Sequence, residues 1–152
     1  MAFGRYIYIP SEAKYFRRQH DIPDDAFYEA CGIDALLGKT IVAINGGEKD
    51  FEWAHFVCSD GTEYLMFHEQ DCCESVTIED VCGDFKRLLN SPITMAEDIS
   101  NEVVDETVPN EDDYSHTWTW YKLATVNEYV TIRWYGTSNG YYSESVDFAR
   151  IK

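Results

Sequence analysis

The chain has 152 residues, of which 45% are hydrophobic and 15% aromatic, so it can form one folded domain with a substantial core. Its formal net charge of −16 excludes a simple phosphate-binding surface, because nucleic-acid-binding proteins neutralise phosphates with lysine and arginine. The same charge would repel anionic membranes and attract basic proteins.

The first residues show neither a signal peptide nor a membrane span. The apolar stretch 6–10 is too short for the hydrophobic region of a signal peptide, and no run of about eighteen apolar residues follows it. We therefore predict a cytoplasmic protein, in a compartment where thiols stay reduced. The five cysteines, an odd number, then indicate free or metal-bound thiols rather than a disulfide framework.

Residues 1–36 are predicted to be an N-terminal extension on a core domain of residues 37–152. They carry a third of the lysines and arginines of an acidic chain, which favours packing of the extension against the acidic body. Ser11 is a suitable N-cap for a short helix, and residues 24–31 lie between Pro23 and Gly32, as a second short helix would.

Residues 40–68 show the pattern of an antiparallel meander. The β-branched segment 40–44 ends at the turn signal Asn-Gly-Gly, and residues 51–58 alternate well enough for a second strand. Ser-Asp-Gly then turns the chain into a third strand at residues 63–68. We expect these three strands to be joined by hairpin turns.

The principal helix is predicted to begin at Thr77, whose side chain can cap free amides while Asp80 follows three residues later. The sequence Asn-Ser-Pro at residues 90–92 would end it. Six apolar residues fall at helical spacing on one face between these points: Ile78, Val81, Cys82, Phe85, Leu88 and Leu89.

The C-terminal third is aromatic and rich in strand-forming residues. Residues 93–100, 118–123 and 129–135 are predicted strands, and Ser-Asn-Gly at residues 138–140 is a tight turn signal. The fold class predicted from all these elements is α+β. It comprises an antiparallel sheet of six to eight strands packed by one principal helix, with a short helical N-terminal extension.

The segment 68–82 concentrates three of the five cysteines and one of the four histidines. The histidine is expected at the end of the third strand, with two cysteines in the loop beyond it. Thiolates beside an imidazole are ligands that zinc prefers, and a structural zinc site would pin this loop to the helix and stabilise the fold. The predicted zinc ligands are His68, Cys72, Cys73 and Cys82, with Asp71 and Glu74 as substitutes.

Two other interpretations of this segment stay open. Cys73 and Cys82 could be small core residues while His68 forms a local hydrogen bond. A cysteine could instead be a nucleophile, with its thiolate stabilised by His68 or by the helix N-terminus near Thr77. The neighbouring carboxylates would raise the pKa of such a thiol, which disfavours the nucleophile.

A second candidate site combines acidic and aromatic residues. Residues 96–114 contain eight carboxylates and no lysine or arginine, and residues 118–142 contain most of the tryptophans. Two alternatives without a binding function stay open. The carboxylates could form a solvated acidic surface, and the aromatic rings could take part only in ordinary cross-strand packing. The predicted contacts to a basic partner are Glu97, Asp98, Glu102, Asp105, Glu106, Glu111, Asp112, Asp113, Tyr141 and Tyr142.

Four motifs carry a resemblance to a known family. They are H-x-Q-D-C-C-E-S-V at 68–76, I-x-D-x-C-G-D at 78–84, W-T-x-Y-K at 118–122 and I-R-W-Y-G-x-S-N-G-Y-Y-S-E at 132–144. With them the chain resembles a family of small acidic domains of unknown function from phages and bacteria. Such proteins look like counter-defence factors. The resemblance therefore implies, as one function, a metal-binding anti-CRISPR protein against a type II effector of the Cas9 type, whose positively charged channel an acidic protein could block.

The predicted function is that of a zinc-stabilised acidic interaction protein of phage or mobile-element origin. It would bind and inhibit a basic host defence protein that handles nucleic acid, without catalytic turnover and without binding nucleic acid or membrane itself. Two alternatives stay open. One is a metal-dependent hydrolase in which a carboxylate such as Glu74 acts as base, and the other is a metal-free protein that mimics DNA.

Overall fold

The structure, a computed structural model, describes residues 27–104 and 115–152, and in this part of the chain nine strands form two antiparallel sheets. The helical elements among these residues are a 3-10 turn at Ile33–Leu36 and one short helix, α1, at Phe85–Leu88. The strands are β1 (Glu29–Ala30), β2 (Ile41–Gly46), β3 (Trp53–Cys58), β4 (Glu63–Phe67), β5 (Ser75–Cys82), β6 (Met95–Val104), β7 (Ser115–Ala124), β8 (Tyr129–Ser138) and β9 (Asp147–Arg150).

The first sheet has five strands in the order β1-β9-β4-β3-β2. Strands β2, β3 and β4 confirm the meander predicted for residues 40–68, since β2 pairs with β3 and β3 with β4 in antiparallel register. The C-terminal strand β9 then inserts between β4 and β1, with Leu65 opposite Ala149 and Ala30 opposite Ala149 on the other side.

The second sheet has four strands in the order β5-β8-β7-β6, of which the last three are ten residues long. Alternate residues of β8 are buried, as the two-residue period of a strand requires when one face covers a core. Val130, Ile132 and Trp134 therefore face inward, while Arg133 and Tyr135 lie on the outer face.

The inner faces of the two sheets form a single hydrophobic core. Phe56 of β3 and Met66 of β4, from the first sheet, lie in the same cluster as Trp134 of the second. The indole Nε1 of Trp134 donates a hydrogen bond to the Met66 sulfur at 3.2 Å, so its polar atom is satisfied although the residue is fully buried. The arrangement is that of a β-sandwich.

The predicted α+β class is wrong, because residues 77–82, the first half of the segment assigned to the principal helix, belong to strand β5. Val76 and Ile78 are buried at a two-residue interval, and a bulge between Ile78 and Asp80 then shifts the register against β8. The strand ends just before Gly83, which has a φ of +104°. A Cβ there would lie 2.5 Å from the carbonyl oxygen of Tyr129, so only glycine fits this turn.

Helical structure begins only after this turn. The side chain of Asp84 accepts a hydrogen bond from the Lys86 amide and so caps the four-residue helix α1. Leu88 is the buried residue of α1, so this short helix contributes one side chain to the core rather than a packed face.

The predicted N-terminal extension is only partly within the described residues. The helix proposed at Ser11 lies outside them, and part of the helix proposed at residues 24–31 is strand β1, paired with β9. Ile33 and Leu36 are fully buried in the common core. Residues 29–36 therefore belong to the sandwich. No helix of the described ranges has the length and apolarity needed to cross a membrane.

Candidate functional site

His68 is buried immediately after β4, at the strand end where the sequence predicted it. Its Nδ1 lies 2.6 Å from the carbonyl oxygen of Ser145, and since a carbonyl only accepts, Nδ1 must carry the proton. The other ring nitrogen, Nε2, lies 3.4 Å from a carboxylate oxygen of Glu74. The imidazole thus joins the loop after β4 to the loop before β9.

The three predicted cysteine ligands do not converge on His68. Cys72 and Cys73 are joined to each other by a disulfide, so the prediction of free or metal-bound thiols holds for neither, whereas Cys31, Cys58 and Cys82 are free. Cys82 ends β5, whose eight residues span about 23 Å at the usual rise per residue. The described ranges, 27–104 and 115–152, contain no group of three or more His, Cys, Asp or Glu that could hold a metal ion.

Glu74, a substitute ligand, holds the loop together instead. Its buried carboxylate accepts hydrogen bonds from the Gln70 side chain at 2.8 Å, from the Cys72 amide at 2.8 Å and from the Asp71 amide at 3.2 Å. A carboxylate that receives several such bonds stabilises the turn around it. Asp71, the other substitute, is exposed, so this arrangement does not fit a zinc ion held by the predicted set.

The predicted partner contacts are spread over the second sheet and the loop after it. Glu97 and Asp98 are exposed on β6, and Glu102 lies further along the same strand. Tyr141 is 84% exposed, and its ring meets that of Tyr142 edge to face at 5.0 Å. The remaining five, Asp105, Glu106, Glu111, Asp112 and Asp113, lie outside the described residues.

The outer face of the second sheet carries a contiguous group of rings, which we call the aromatic face: Trp118, Trp120 and Tyr135. Trp118 lies 6.3 Å from Trp120 and 4.6 Å from Tyr135, measured between ring centroids. All three are half-buried, as expected for large side chains that lie flat on an open sheet surface. Ile99, which is 48% exposed and lies opposite Trp120 in the sheet, extends the apolar surface onto β6.

One cation, Arg133, sits within the aromatic face. Its guanidinium lies 5.3 Å from the ring centre of Trp118, a cation–π distance, and its Nε donates to Glu79 at 2.6 Å. Asp80 is 3.9 Å from the same guanidinium. Two carboxylates thus neutralise this arginine, and a depression of about 170 Å³ beside it is lined by Trp120 and Cys82 among others.

The inner face of the same sheet ends in a polar cavity, which we call the hydroxyl recess. Along β7 the inward residues change from Leu123 and Tyr121 to Thr119, Thr117 and Ser115. The recess has a volume of about 450 Å³. Its lining includes Ser100, Ser115, Thr117, Tyr142, Ser143 and Glu144.

Among the described residues that line the hydroxyl recess, Glu144 is the charged one, and it is 7% exposed. One carboxylate oxygen accepts from Thr117 at 2.8 Å and from Ser115 at 3.2 Å, and the other accepts from the Ser138 hydroxyl. The sequence analysis did not select Glu144. The sequence did contain a signal for this site. At the inward positions near one end of β7 and β8 stand serine and threonine, whereas an apolar core would have valine or leucine there.

Comparison with known proteins identifies a family but no function. Residues 34–148 match the sequence model of DUF7448, a domain of unknown function. No curated protein and no solved structure matches the chain.

Proposed function

The chain belongs to the DUF7448 family, a domain of unknown function, and from this premise we propose that it is an acidic binding protein that docks on a basic protein through its aromatic face and inhibits it. The observation that carries the proposal is the aromatic face itself. Tryptophan and tyrosine are the residues that most often dominate the energy of protein interfaces, because each buries a large rigid surface.

The geometry of the rings supports docking of a flat surface. Trp118, Trp120 and Tyr135 already contact one another, so little side-chain freedom would be lost when a partner covers them. Arg133 is held by Glu79 against Trp118 and so keeps the neighbouring ring in place. A preorganised patch of this kind suits an interface.

The charge of the chain supports a basic protein as the partner. A net charge of −16 attracts basic surfaces and repels nucleic acid, and Glu97, on the same side of β6 as Ile99, places a carboxylate at the border of the aromatic face. Long-range attraction of this sign speeds encounter and is screened by salt. Nucleic-acid-handling enzymes present basic surfaces, and occupying one would inhibit them without any chemical step.

A more specific form of the proposal names an effector of the Cas9 type and a phage or mobile-element origin for the inhibitor. Such an effector holds its guide–target duplex in a positively charged channel, which an acidic protein can occupy in competition with nucleic acid. This form rests on charge and on the motifs at residues 68–84 and 132–144, and the general proposal does not depend on it.

The test measures DNA cleavage by a purified Cas9-type effector with increasing amounts of the chain. We expect the wild type to inhibit, with weaker inhibition as salt is raised from about 0.1 M to about 0.5 M. The variant Trp118→Ala/Trp120→Ala should lose at least about tenfold in apparent affinity, since interface anchors of this kind contribute about 2 kcal/mol or more. Phe27→Ala, which removes an exposed aromatic ring packed against Arg150 on the other sheet, is the matched control.

Two outcomes contradict the proposal at different levels. If the wild type does not inhibit the effector at low salt, the Cas9-type target is wrong. The general proposal is then tested by comparing proteins captured from a bacterial lysate by the wild type, by the double tryptophan variant and by Phe27→Ala. If the two variants capture the same basic proteins, the aromatic face is not the docking surface.

A further inference from the structure

We propose that the hydroxyl recess is a second binding site, specific for a guanidinium group, with Glu144 as its counter-charge. The recess lies on the inner face of the second sheet, whereas the aromatic face is on the outer side of the same strands. The proposal therefore goes beyond the docking function and does not depend on it.

The recess exists because the inward positions at one end of the sheet are small and polar. Ser115 is paired with Ser138 and Thr117 with Gly136 across β7 and β8, one layer beyond the pair of Thr119 with Trp134. Large apolar side chains thus stop at Trp134, and the space beyond it is left to hydroxyl groups and to the loop that carries Glu144.

Glu144 places a buried carboxylate in this space. It is more than nine-tenths buried, and its three side-chain partners are neutral hydroxyls. Among residues 27–104 and 115–152, no lysine, arginine or histidine forms an ion pair with it. Removing a carboxylate from water is costly unless an opposite charge compensates, and a bound cation would provide that compensation.

The chemistry of the lining favours guanidinium over a simple ammonium ion. The guanidinium of arginine has five N–H donors in one plane and accepts no hydrogen bonds. The recess offers acceptors in several directions, since each serine or threonine hydroxyl has two lone pairs and donates only one hydrogen. The hydroxyl groups of Ser115 and Thr117 donate their hydrogens to Glu144. The oxygen lone pairs of these hydroxyls can therefore accept hydrogen bonds from a ligand in the recess.

The size of the recess is consistent with such a ligand. A volume of about 450 Å³ lies within the range of small-molecule sites, and it accommodates a guanidinium with its alkyl chain. The group could come from a free small molecule or from an arginine side chain of another protein. Both sources present the same chemistry to Glu144, so the experiment has one arm for each.

The test is an NMR titration of the ¹⁵N-labelled chain with Nα-acetyl-arginine N-methylamide and, separately, with agmatine. We expect saturable shifts of the amides of Ser115, Thr117 and Glu144. The matched neutral ligand is Nα-acetyl-citrulline N-methylamide, which keeps the shape and loses the charge. If both cations bind, the recess recognises the guanidinium group whatever molecule carries it. If the arginine derivative binds and agmatine does not, the recess recognises an arginine side chain within a peptide.

Three variants make the result specific to the recess. Glu144→Gln should reduce the affinity for the arginine derivative at least about tenfold, since a hydrogen bond to a charged group contributes more than one to a neutral group. Glu48→Gln makes the same change of charge in the exposed loop after β2 and should leave the affinity unchanged. Ser100→Leu fills the recess from its exposed rim and should abolish binding while Glu144 keeps its hydroxyl partners.

Three results would overturn the proposal: no saturable shifts with either cation, equal affinity for the citrulline derivative, or unchanged affinity in Ser100→Leu. The last variant also covers the case in which Glu144→Gln fails to fold. Because all of these measurements use ligands rather than a partner protein, they can fail while inhibition through the aromatic face persists, and the reverse.

Discussion

Gly136 and Glu144 approach so closely that a Cβ placed on Gly136 would lie 2.9 Å from the Cβ of Glu144 and 2.9 Å from its carbonyl oxygen. Gly136 is an inward position of β8, where the two preceding inward residues are Ile132 and Trp134. The missing side chain at this one position lets the loop before β9 lie directly on the strand. It thereby brings the Glu144 carboxylate to the hydroxyls of β7 and β8.

The first prediction follows from this contact. Gly136→Ala should lower the free energy of unfolding by about 1–3 kcal/mol, because the added methyl group must push Glu144 and its backbone away from the strand. Chemical denaturation measures the loss, and the amide shifts of Ser115 and Thr117 should move with it. An alanine variant with wild-type stability and unchanged shifts would contradict the contact.

The second prediction separates the two faces of the second sheet. Trp134→Ala should cost about 3–5 kcal/mol, since Trp134 is fully buried in the core. Trp118→Ala, on the outer face, should cost about 1 kcal/mol, in the range of a cross-strand pair. Both are measured by urea denaturation. Equal losses for the two variants would show that Trp118 is covered by structure and is not available to a partner.

The third prediction concerns pH. His55 is buried, with its Nε2 donating to Glu63 at 2.8 Å and its Nδ1 accepting from Asn45 at 3.1 Å, which is the pattern of a neutral ring. Burial lowers the pKa of His55, and Glu63 offsets this only in part. The unfolded chain, with a pKa of about 6.5 for histidine, therefore binds the proton more tightly than the folded chain does.

The stability contributed by neutral His55 is thus fully present above about pH 6.5 and is lost as the pH falls below that value. We expect the free energy of unfolding to fall between about pH 7 and about pH 5, with a slope of at most about 1.4 kcal/mol per pH unit from this residue. His55→Gln should remove that part of the slope. His116→Gln, on the outer face, is the control and should keep it.

The fourth prediction concerns the thiols and tests the zinc site at the same time. Cys82 is exposed, whereas burial raises the pKa of the Cys31 and Cys58 thiols and so reduces their reactive thiolate. We expect one thiol of the folded, unreduced protein to react rapidly with a disulfide reagent. Cys82→Ser should abolish this fast phase, and Cys58→Ser should retain it.

A zinc site built from His68, Cys72, Cys73 and Cys82 would give the opposite result. Cys82 would be protected in the purified protein, a chelator would expose three reactive thiols, and metal analysis would find about one zinc per chain. These three observations together would show that the loop after β4 adopts a different arrangement when metal is bound.

Much of the first sheet could be predicted from the sequence, because its strands have local signals. The β-branched residues of 40–44 end at a glycine turn, and β2, β3 and β4 are joined in sequence order. The insertion of β9 between β4 and β1 could not be predicted, since it depends on pairing between residues that are 80 to 121 positions apart in the chain. Pairing over such a distance leaves no periodic pattern in either strand.

The mistaken helix has a specific cause in β5. The bulge at Glu79 adds one residue to the strand, so that the inward residues Ile78 and Val81 are three positions apart. Three positions is also the spacing of neighbours on one face of a helix. A bulged strand followed at once by the short helix α1 therefore imitates a longer helix, and only the β-branched residues before the bulge argue against it.

The two candidate surfaces differ in how far the sequence could predict them. The aromatic residues of β7 and β8 were evident from composition, but their division between core Trp134 and outer Trp118 required the register of the sheet. The hydroxyl recess required more, because Glu144 reaches Thr117 only through the turn after β8 and the open position at Gly136. No short sequence motif indicates that Glu144 and Thr117 lie close together in the folded chain.

The two edges of the second sheet have a consequence for self-association. Edge strand β5 is kinked by its bulge, and edge strand β6 carries the exposed carboxylates of Glu97 and Asp98. Both are devices that stop an open strand from adding the strand of another molecule. The bulge and the charges protect different edges, so replacing Glu97 and Asp98 by uncharged residues would leave β6 as the edge open to pairing with another molecule.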